Sequence, residues 1–557
     1  MKKVLSVMLA LLMLVPLFSM ESFAWGDEWA EFEKDGIYYM QTDDNEVCVY
    51  GYEYPEEGSE PTEVVIPETV RNRRITYTVT GVLDTAFTES NYSKITLPDT
   101  INYIGSEAFW GSAMLEEVVI PESCVLDYFG TDVFTGTPAE GKFFEKDINT
   151  IGQNVLYSYT GDATEFAIPE EINILAAGCF MFSAIENVVF NENITDIPDF
   201  AFSCCRNLKE VEIPDDITML GEAAFKDCMN LEKVILGEST EYIGTNCFAG
   251  TKIKEINLPQ YTEYLSGAFN DCKYLEKITV DESNETFYAD EDALYSVYDY
   301  SDEYEEESFS EITLEYFFGA NTHSSYETDE DVNIIGDYAF YNNKTIKEFS
   351  ASGVSSIGTK AFAGTEIETF NWQTSDDEYY WIYDSAFANC KNLKTIDLSN
   401  VEYIATAAFE NCTSLKDVEL SESIYCVDPH AFCNTAIEEI EIYGFDTFVG
   451  EGAFKDCANL KEVTLGDGVS LVDAFVFQNC PALETVYLSK TILVFAENAL
   501  IDCEDVTFEV IKGSEGYKLV KSLDYNFEVV GKITFLEQLS NFFSNIFAFL
   551  FGWFLWL

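Results

Sequence analysis

The side chains that most often perform chemistry are either rare in this chain or fixed in one repeated position. Among 557 residues there are two His, His323 and His430, and 15 Cys. Two imidazoles leave almost no room for a catalytic triad or a histidine-rich metal site. The sequence has no Cys-x-x-Cys pair, no nucleophile motif and no phosphate-binding loop. We therefore expect no enzymatic activity and no metal centre or cofactor built on these residues.

Most of the Cys keep a fixed distance from a recurring apolar residue, and eight of them follow it by three positions. Equivalent side chains in neighbouring repeats point the same way, which disfavours disulfides even at short range. We predict that they are free, buried thiols that fill small interior spaces. The eight are Cys205, Cys228, Cys272, Cys390, Cys412, Cys457, Cys480 and Cys503.

Acidic residues outnumber basic ones by 100 to 30, which gives a net charge of −70. Such a chain repels phosphate backbones, so nucleic acid is not expected as a partner. The strongest local excess of acid lies in an insertion at residues 281–331 and is densest at 302–307. We interpret the insertion as a solvated loop. A Ca²⁺-binding loop and a recognition loop for a basic partner are the alternatives, and the Asp-x-Asp-x-Asp-Gly pattern of calcium loops is absent.

The positions of these residues depend on a repeat whose anchor is Phe, preceded by Ala in eleven of fifteen copies. Leu156, Leu294 and Leu500 occupy the same position in degenerate copies, and one copy between Leu294 and Phe340 is obscured. The mean period is about 23 residues, typical of stacked repeat proteins. The fifteen anchors are Phe87, Phe109, Phe134, Phe180, Phe202, Phe225, Phe248, Phe269, Phe340, Phe362, Phe387, Phe409, Phe432, Phe454 and Phe477.

Two short apolar patterns flank each anchor. Leu208-x-x-Val211-x-Ile213 alternates with period two, which predicts a short strand with one buried face. Ile101-x-x-Ile104-Gly105 predicts a second extended segment followed by a turn. We interpret the Ala-Phe-x-x-Cys segment as a single helical turn. One unit cannot bury its apolar side alone, so the fold class is a β-rich repeat solenoid of about 19 coils with a parallel sheet along one face and short helical turns elsewhere.

The recurring pattern Ile-Pro-x-x-Val-x-x-Ile-Gly-x-x-Ala-Phe-x-x-Cys-x-x-Leu-x-x-Ile resembles the BspA-type subclass of bacterial leucine-rich repeats. The resemblance covers residues 62–510. It departs from the commoner leucine-rich consensus because no regular Asn follows the strand. It implies a secreted or cell-surface adhesion module, in a family with members that bind host matrix proteins or neighbouring bacteria.

The two ends of the chain differ from the repeats. Residues 1–24 have the charged start and apolar centre of a signal peptide, with cleavage expected after Ala24. We expect a strand cap at 25–61, the leucine-rich repeat solenoid at 62–510, a second cap at 511–531 and a hydrophobic tail helix at 532–557. The strand patterns at 36–40, 47–51 and 75–79 predict a hairpin for the first cap. The second cap is expected to contain a short helix at 517–523 and a final strand at 527–530. Residues 533–557 are amphipathic and then wholly apolar, which favours contact with a membrane. Docking on the array and oligomer formation through the tail are the alternatives.

On each Leu-x-x-Val-x-Ile strand, the residues beside the central apolar one face away from the core. We hypothesise an exported, non-enzymatic bacterial surface protein that uses this face to bind an extracellular protein or glycan with a basic surface. The alternative is a structural cell-envelope spacer without a dedicated ligand, which a chemically uniform face would favour. The candidate binding residues are Glu210, Glu212, Glu255, Asn257, Asp417, Glu419, Glu439, Glu441, Glu462 and Thr464.

Overall fold

A computed structural model describes residues 31–43, 45–53, 62–144, 146, 148–265, 267–300, 309–318, 323–374 and 379–532. The chain divides into two units, residues 1–157 and 158–557. The predicted signal peptide at 1–24 and tail at 533–557 lie outside the described residues.

The first unit consists of short strands and one 3₁₀ segment, Pro138–Phe144. Its strands, numbered along the chain, are β1 (Glu31–Lys34), β2 (Ile37–Asp43), β3 (Glu46–Tyr52), β4 (Thr62–Val65), β5 (Thr69–Asn72), β6 (Ile75–Val82), β7 (Tyr92–Thr96), β8 (Tyr103–Ile104), β9 (Glu117–Val119), β10 (Tyr128–Phe129) and β11 (Ile148–Ile151), and β12 (Val155–Tyr159) reaches the boundary.

The start of the first unit is antiparallel and the rest is parallel. Strands β1, β2 and β3 form an antiparallel meander, which contains the strand hairpin predicted for the N-terminal cap. The third strand predicted for that hairpin, β6, instead pairs parallel with β3 and β8 and antiparallel with β5. Parallel pairing continues through β10, and β4, β7 and β9 form a second parallel sheet.

In the second unit two parallel ladders run through the repeats. The first ladder is formed by the Leu-x-x-Val-x-Ile strands: β13 (Glu165–Ala167), β15 (Asn187–Val189), β17 (Glu210–Glu212), β19 (Lys233–Ile235), β21 (Glu255–Leu258), β23 (Lys277–Val280), β27 (Ser325–Glu327), β29 (Glu348–Ser352), β31 (Thr369–Gln373), β33 (Thr395–Ile396), β36 (Glu439–Ile442), β38 (Glu462–Leu465), β40 (Thr485–Leu488), β42 (Thr507–Lys512) and the closing strand β43 (Asn526–Lys532).

The second ladder is formed by the segments that precede each anchor. Its strands are β14 (Ile174–Leu175), β16 (Asp196–Ile197), β18 (Met219–Leu220), β20 (Tyr242–Ile243), β22 (Tyr264–Leu265), β28 (Val332–Ile335), β30 (Ser356–Ile357), β32 (Tyr380–Ile382), β34 (Val401–Ile404), β35 (Cys426–Val427), β37 (Thr447–Val449), β39 (Val469–Val472) and β41 (Val494–Phe495).

The register of both ladders equals one repeat. Val211 on β17 pairs with Val234 on β19, and Ile243 on β20 pairs with Leu265 on β22. Each coil therefore covers the apolar side of its neighbour, as the period-two pattern requires. The predicted fold class, a repeat solenoid of about 19 coils with parallel strands, is confirmed.

The interpretation of the acidic insertion as a solvated loop is wrong for its described residues. Besides β27 of the first ladder, the insertion contains three strands, β24 (Phe287–Ala289), β25 (Ala293–Tyr300) and β26 (Phe309–Phe317), and β25 pairs antiparallel with both neighbours. Strand β26 then pairs parallel with β28 and continues the second ladder. The reason is that both strands are covered by neighbouring coils: residues 293–296 of β25 are all buried, and so are Leu314, Tyr316 and Phe317 of β26. The densest acidic stretch, 302–307, lies outside the described residues.

The core is a column of stacked anchor rings. Phe202 and Phe225 have centroids 5.2 Å apart and planes 2° apart, and Phe409 and Phe432 are related in the same way at 5.1 Å and 6°. The copy that the sequence pattern obscured is Phe317, which stacks on Phe340 at 4.8 Å and is buried. It lies 23 residues before Phe340, so the spacing itself identifies it. The predicted burial of the anchors is confirmed. The rings also stack on one another, which contributes stability beyond burial alone.

The segment around each anchor is not the single helical turn that we predicted. Residues two positions before and after the anchor have left-handed backbones, as at Ala223 (φ 53°) and Asp227 (φ 57°) around Phe225. The amide of Phe225 donates to the carbonyl oxygen of Cys247 in the next coil, whereas that of Lys226 donates within the turn to Ala223. Successive turns of this kind direct every second amide to the neighbouring coil, which a helix cannot do.

The C-terminal part of the second unit ends in a small cap. Helix α1 (Glu515–Ser522) begins at Ser514, whose hydroxyl accepts a hydrogen bond from the amide of Tyr517. Strand β43 then closes the first ladder by pairing parallel with β42. The predicted short helix and final strand are confirmed, and the helix begins two residues earlier than expected. Within the described part of the chain, no helix has the length and apolarity needed to cross a membrane.

Candidate binding surfaces of the repeat array

The repeat-locked Cys form hydrogen bonds in the interior, a role that the interpretation as apolar filler missed. The thiol of Cys228 donates to the carbonyl oxygen of Phe202 at 3.0 Å, and that of Cys412 donates to Phe387 at 3.1 Å. Other repeats place a hydroxyl in the same position, as at Ser112, which donates to Phe87 at 2.7 Å. We call this position, three residues after the anchor, the donor position. Its residues give the anchor carbonyl of the previous coil a second hydrogen bond, beside the one from a backbone amide within that coil.

Burial raises the pKa of most of the buried thiols, whereas hydrogen bonds, among them those with Cys228 and Cys412, outweigh burial and lower the pKa of Cys205 and Cys390, respectively. All fifteen Cys are free, as predicted. Burial raises the pKa of the Cys272 thiol to about 12. Cys503, at the end of the ladder and half-buried, differs because its hydrogen bond with Cys480 lowers its pKa to about 7. Among the described residues, no group of three or more His, Cys, Asp or Glu side chains is arranged to hold a metal ion.

The predicted binding residues lie on the outer side of the first ladder. Their exposure follows the strand alternation, as in β17, where Val211 is buried between exposed Glu210 and Glu212. Nine of the ten are exposed, and Thr464 is half-buried. No observation on the structure tests their role in binding, so that role stays a prediction.

Charges beside the first ladder are paired between coils. Lys394 and Lys461 lie 2.7 Å from Glu368 and Glu438, respectively, and each pair joins neighbouring coils. These partners precede the strand and do not belong to the candidate face. Within the described residues, Asp417, Glu419, Glu439, Glu441 and Glu462 form no ion pair, so their charge remains available to an external partner.

Hydrogen bonding along the first ladder is broken at several places, and one of these breaks lies between β33 and β36. The coil between them contributes only two isolated bridges, Thr395 to Asp417 and Leu398 to Leu420. Shallow grooves of about 960 Å³ and 400 Å³ lie against this coil. Six predicted residues line these grooves and form what we call the acidic patch: Asp417, Glu419, Glu439, Glu441, Glu462 and Thr464.

The other four predicted residues are not part of this patch. Glu255 and Asn257 line a separate groove of about 450 Å³ together with Lys233, Lys254 and Lys277, which offset its negative charge. Glu210 forms an ion pair with Lys233, and Glu212 lies beside it on β17. The structure therefore separates the ten candidates into a net acidic group and a balanced group.

The second ladder carries an aromatic surface that our sequence reasoning did not identify. Residues directly before the buried Ile or Leu of these strands point outward, and Tyr242, Tyr264 and Trp381 are exposed there. Together with the insertion they line a cleft of about 1200 Å³. The sequence does contain a signal for this surface, because Tyr recurs directly before Ile-Gly or Leu. We interpreted that pattern only as a strand and not as a row of exposed rings.

The sequence pattern and the two-ladder coil agree with a known repeat family. The description of that family is "BspA type Leucine rich repeat region", and its model matches residues 80–203, 173–298, 303–380 and 380–507, with six copies. The chain belongs to the BspA-type leucine-rich repeat family. This confirms the resemblance inferred from the repeat motif.

Several solved structures are similar to this BspA-type chain. The pneumococcal vaccine antigen PcpA is 17% identical, with 91% of this chain and 99% of that chain covered and a TM-score of 0.37. A leucine-rich cell surface protein from Faecalibacterium prausnitzii is 18% identical, with 88% and 97% covered and a TM-score of 0.30. A leucine-rich repeat protein from Bacteroides ovatus is 21% identical, with 86% and 100% covered and a TM-score of 0.31. No curated protein matches this chain in sequence.

Proposed function

We propose that this BspA-type protein is an exported, non-enzymatic surface protein that binds an extracellular protein with a basic surface. The proposal commits to the acidic patch as the contact region. The single observation that carries it is the pair of grooves beside the coil at Asp417–Leu420, which are lined by exposed carboxylates that form no ion pair among the described residues. A spacer without a ligand would be expected to keep a uniform strand face, and this face is not uniform.

Electrostatics supports a basic partner. The chain carries a net charge of −70, and Glu439 and Glu441 are exposed on the same side of β36. Opposite charge on a partner increases the rate of association more than the final affinity. Salt screens such an attraction over about 8 Å at physiological ionic strength. The association rate should therefore decrease as the salt concentration rises.

The test is a pull-down with the exported chain as bait. Host matrix proteins, glycans and bacterial surface polymers are the prey, and bound partners are then measured by surface plasmon resonance at low and high salt. The double variant Glu439→Lys and Glu441→Lys should weaken protein binding at least tenfold. The matched control is the double variant Glu210→Lys and Glu212→Lys, an equal change of charge on the same face in the balanced group, and it should leave binding within twofold. Equal effects of both changes, or binding that ignores salt, would refute the acidic patch.

Membrane contact through residues 533–557 is a further part of this proposal, and it rests on sequence. Aromatic and aliphatic side chains in this segment would contribute several kcal/mol of membrane affinity, at about 25 cal/mol per Å² of buried apolar area. We expect the chain without its signal peptide to float with liposomes or to self-associate. A chain ending at Gly531 should remain in solution as a monomer. Light scattering and liposome flotation on both chains decide between these outcomes.

A further inference from the structure

The cleft on the second ladder has a chemical character that the acidic patch lacks. It lies where the antiparallel hairpin β25–β26 enters the ladder between β22 and β28. Tyr298 and Glu311 face each other across this hairpin. The neighbouring strands supply Tyr264 on one side and Trp381 on the other.

Aromatic side chains dominate the lining. Tyr264 is 59% exposed and Tyr379 is 68% exposed, far more than core aromatics permit. A concentration of exposed rings in one concave region is uncommon in soluble proteins and marks a binding site. The exposed lining rings are Tyr242, Tyr264, Tyr298, Tyr379, Trp381 and Tyr383.

Carboxyl and amide groups are placed among the rings. The hydroxyl of Ser296 donates to Oε1 of Glu315 at 2.6 Å, and the amide of Thr359 donates to Oδ1 of Asp337 at 2.6 Å. Oδ1 of Asn333 accepts from the amide of Ile312 at 2.8 Å, which fixes the orientation of that side chain. Each hydrogen bond fixes the orientation of one carboxyl or amide group, so the cleft presents several oriented polar side chains.

The cleft is less negative than its composition suggests. Burial, together with the charge of Asp337, raises the pKa of Glu315 to about 7. Burial also raises the pKa of Asp337. No Lys, Arg or His occurs among the described lining residues. An anionic ligand would meet uncompensated carboxylates such as Glu311. A cationic ligand would lower the pKa of Glu315 on binding, whereas a neutral ligand can bind while that pKa stays near 7.

We propose that this cleft binds a neutral glycan, with sugar rings stacked on its Tyr and Trp side chains and sugar hydroxyls bonded to Glu311, Glu315 and Asn333. The face of an aromatic ring carries partial negative charge and attracts the C–H groups on the apolar face of a sugar. Hydroxyl groups can both donate and accept, which matches carboxyl and amide groups of mixed protonation. The volume, about 1200 Å³, exceeds that of pockets for drug-sized ligands and suits an oligosaccharide.

The repeat geometry supports an extended ligand. Neighbouring strands of a ladder are about 4.8 Å apart, so outward rings on successive coils form a row of stacking platforms. Tyr242 and Tyr264 are in register on adjacent strands, with centroids 6.2 Å apart. This site is separate from the acidic patch and takes a different class of ligand, so either proposal can fail without the other.

Isothermal titration calorimetry of the full chain tests the inference. The probes are three neutral hexasaccharides (cellohexaose, mannohexaose and chitohexaose), the anionic hexagalacturonate and a hexaarginine peptide. We expect binding of at least one neutral hexasaccharide, with little dependence on salt, and no binding of hexagalacturonate. Trp381→Ala and Tyr264→Ala should each weaken that binding at least tenfold, whereas Trp381→Phe should retain most of it.

The matched control is Tyr274→Ala, which removes an equally exposed ring outside the cleft and should change affinity less than twofold. Urea unfolding midpoints of all variants should agree with that of the unmodified chain, because the substituted rings are exposed. Three results would overturn the inference: no neutral hexasaccharide binds, Trp381→Ala leaves sugar binding intact, or only hexaarginine binds in a manner that depends on Trp381. The last result would assign the cleft to a basic peptide segment.

Discussion

The thiol of Cys228 donates a hydrogen bond to the carbonyl oxygen of Phe202, with a sulfur-to-oxygen distance of 3.0 Å. The two residues belong to successive coils, so the bond connects the donor position of one coil to the anchor of the previous one. The same connection recurs along the array with Cys, and Ser112 makes it in the first unit. The solenoid is therefore held by a line of buried polar contacts beside its aromatic column.

Replacement of Cys228 tests the donor position. Cys228→Ala should lower the free energy of unfolding by about 1 kcal/mol, because the Phe202 carbonyl loses one of its two donors and keeps only the amide of Cys205. Cys228→Ser should lower it less, since a hydroxyl serves this position at Ser112. Urea unfolding followed by circular dichroism gives both values. Equal losses for Ala and Ser would show that the thiol acts only as filler.

Truncation of an anchor tests the aromatic column. Phe409 is fully buried and stacks on Phe387 and Phe432 at 5.2 and 5.1 Å. Phe409→Ala should cost about 3–5 kcal/mol, as for other buried aromatics. The matched control is Phe445→Ala, because Phe445 is 89% exposed and should contribute almost nothing. Chemical denaturation of both variants provides the comparison, and the column has no structural role if their midpoints coincide.

The left-handed turns predict that Gly is tolerated better than a β-branched residue at the positions beside each anchor. Asp227 has a φ of 57°, which a β-branched residue adopts only with strain. Asp227→Val should therefore destabilise the fold by about 1–2 kcal/mol. Asp227→Gly should be close to neutral, because Gly adopts this conformation freely. Thermal unfolding measures the stability of both variants. If Asp227→Val is more stable than Asp227→Gly, the turn is helical and the left-handed assignment is wrong.

Two half-buried thiols should differ in reactivity. The hydrogen bond with Cys480 lowers the pKa of Cys503 to about 7. Burial and the hydrogen bond to Asp428 raise the pKa of Cys426 to about 12. The thiolate is the reactive form, so at pH 7.5 iodoacetamide should alkylate Cys503 well before Cys426. Peptide mass spectrometry over time measures both rates, and comparable rates would contradict the assignment.

The sequence predicts the features that repeat with every coil. Phe anchors, two strand patterns and free Cys all recur at one period. Because the same pattern appears in many copies, one degenerate copy does not change the predicted fold. Phe317 was overlooked because the insertion placed a strand hairpin directly before it. Asp227 was assigned to a helical turn because a helical turn and an αL turn have similar residue spacing.

The aromatic cleft could not be predicted from the pattern. Its parts come from Tyr264, the hairpin residues Tyr298 and Glu311, and Trp381, which are brought together only by the pairing of β26 with β28. The period identifies neither the antiparallel pairing nor its register. The acidic patch was only partly predicted, because the interruption at Asp417–Leu420 depends on local backbone geometry.

Glu315 provides a pH-dependent test of the cleft's electrostatics. Burial raises its pKa from the usual 4.5 to about 7, with the charge of Asp337 as a further cause. The folded state therefore binds more protons than the unfolded state between these values, and stability decreases as pH rises through them. Glu315→Gln removes this loss, since an amide does not titrate.

We expect the stability of Glu315→Gln relative to the unmodified chain to increase between pH 5 and pH 8, by on the order of 2 kcal/mol. Comparing the two chains at each pH cancels the titration of the many other carboxylates. The control is Glu509→Gln, on the exposed side of β42, which should show no such trend. Urea unfolding at pH 5, 6, 7 and 8 supplies the values. A difference that stays constant with pH would mean that Glu315 is charged in the folded protein, and the cleft would then favour a cationic ligand over a neutral sugar.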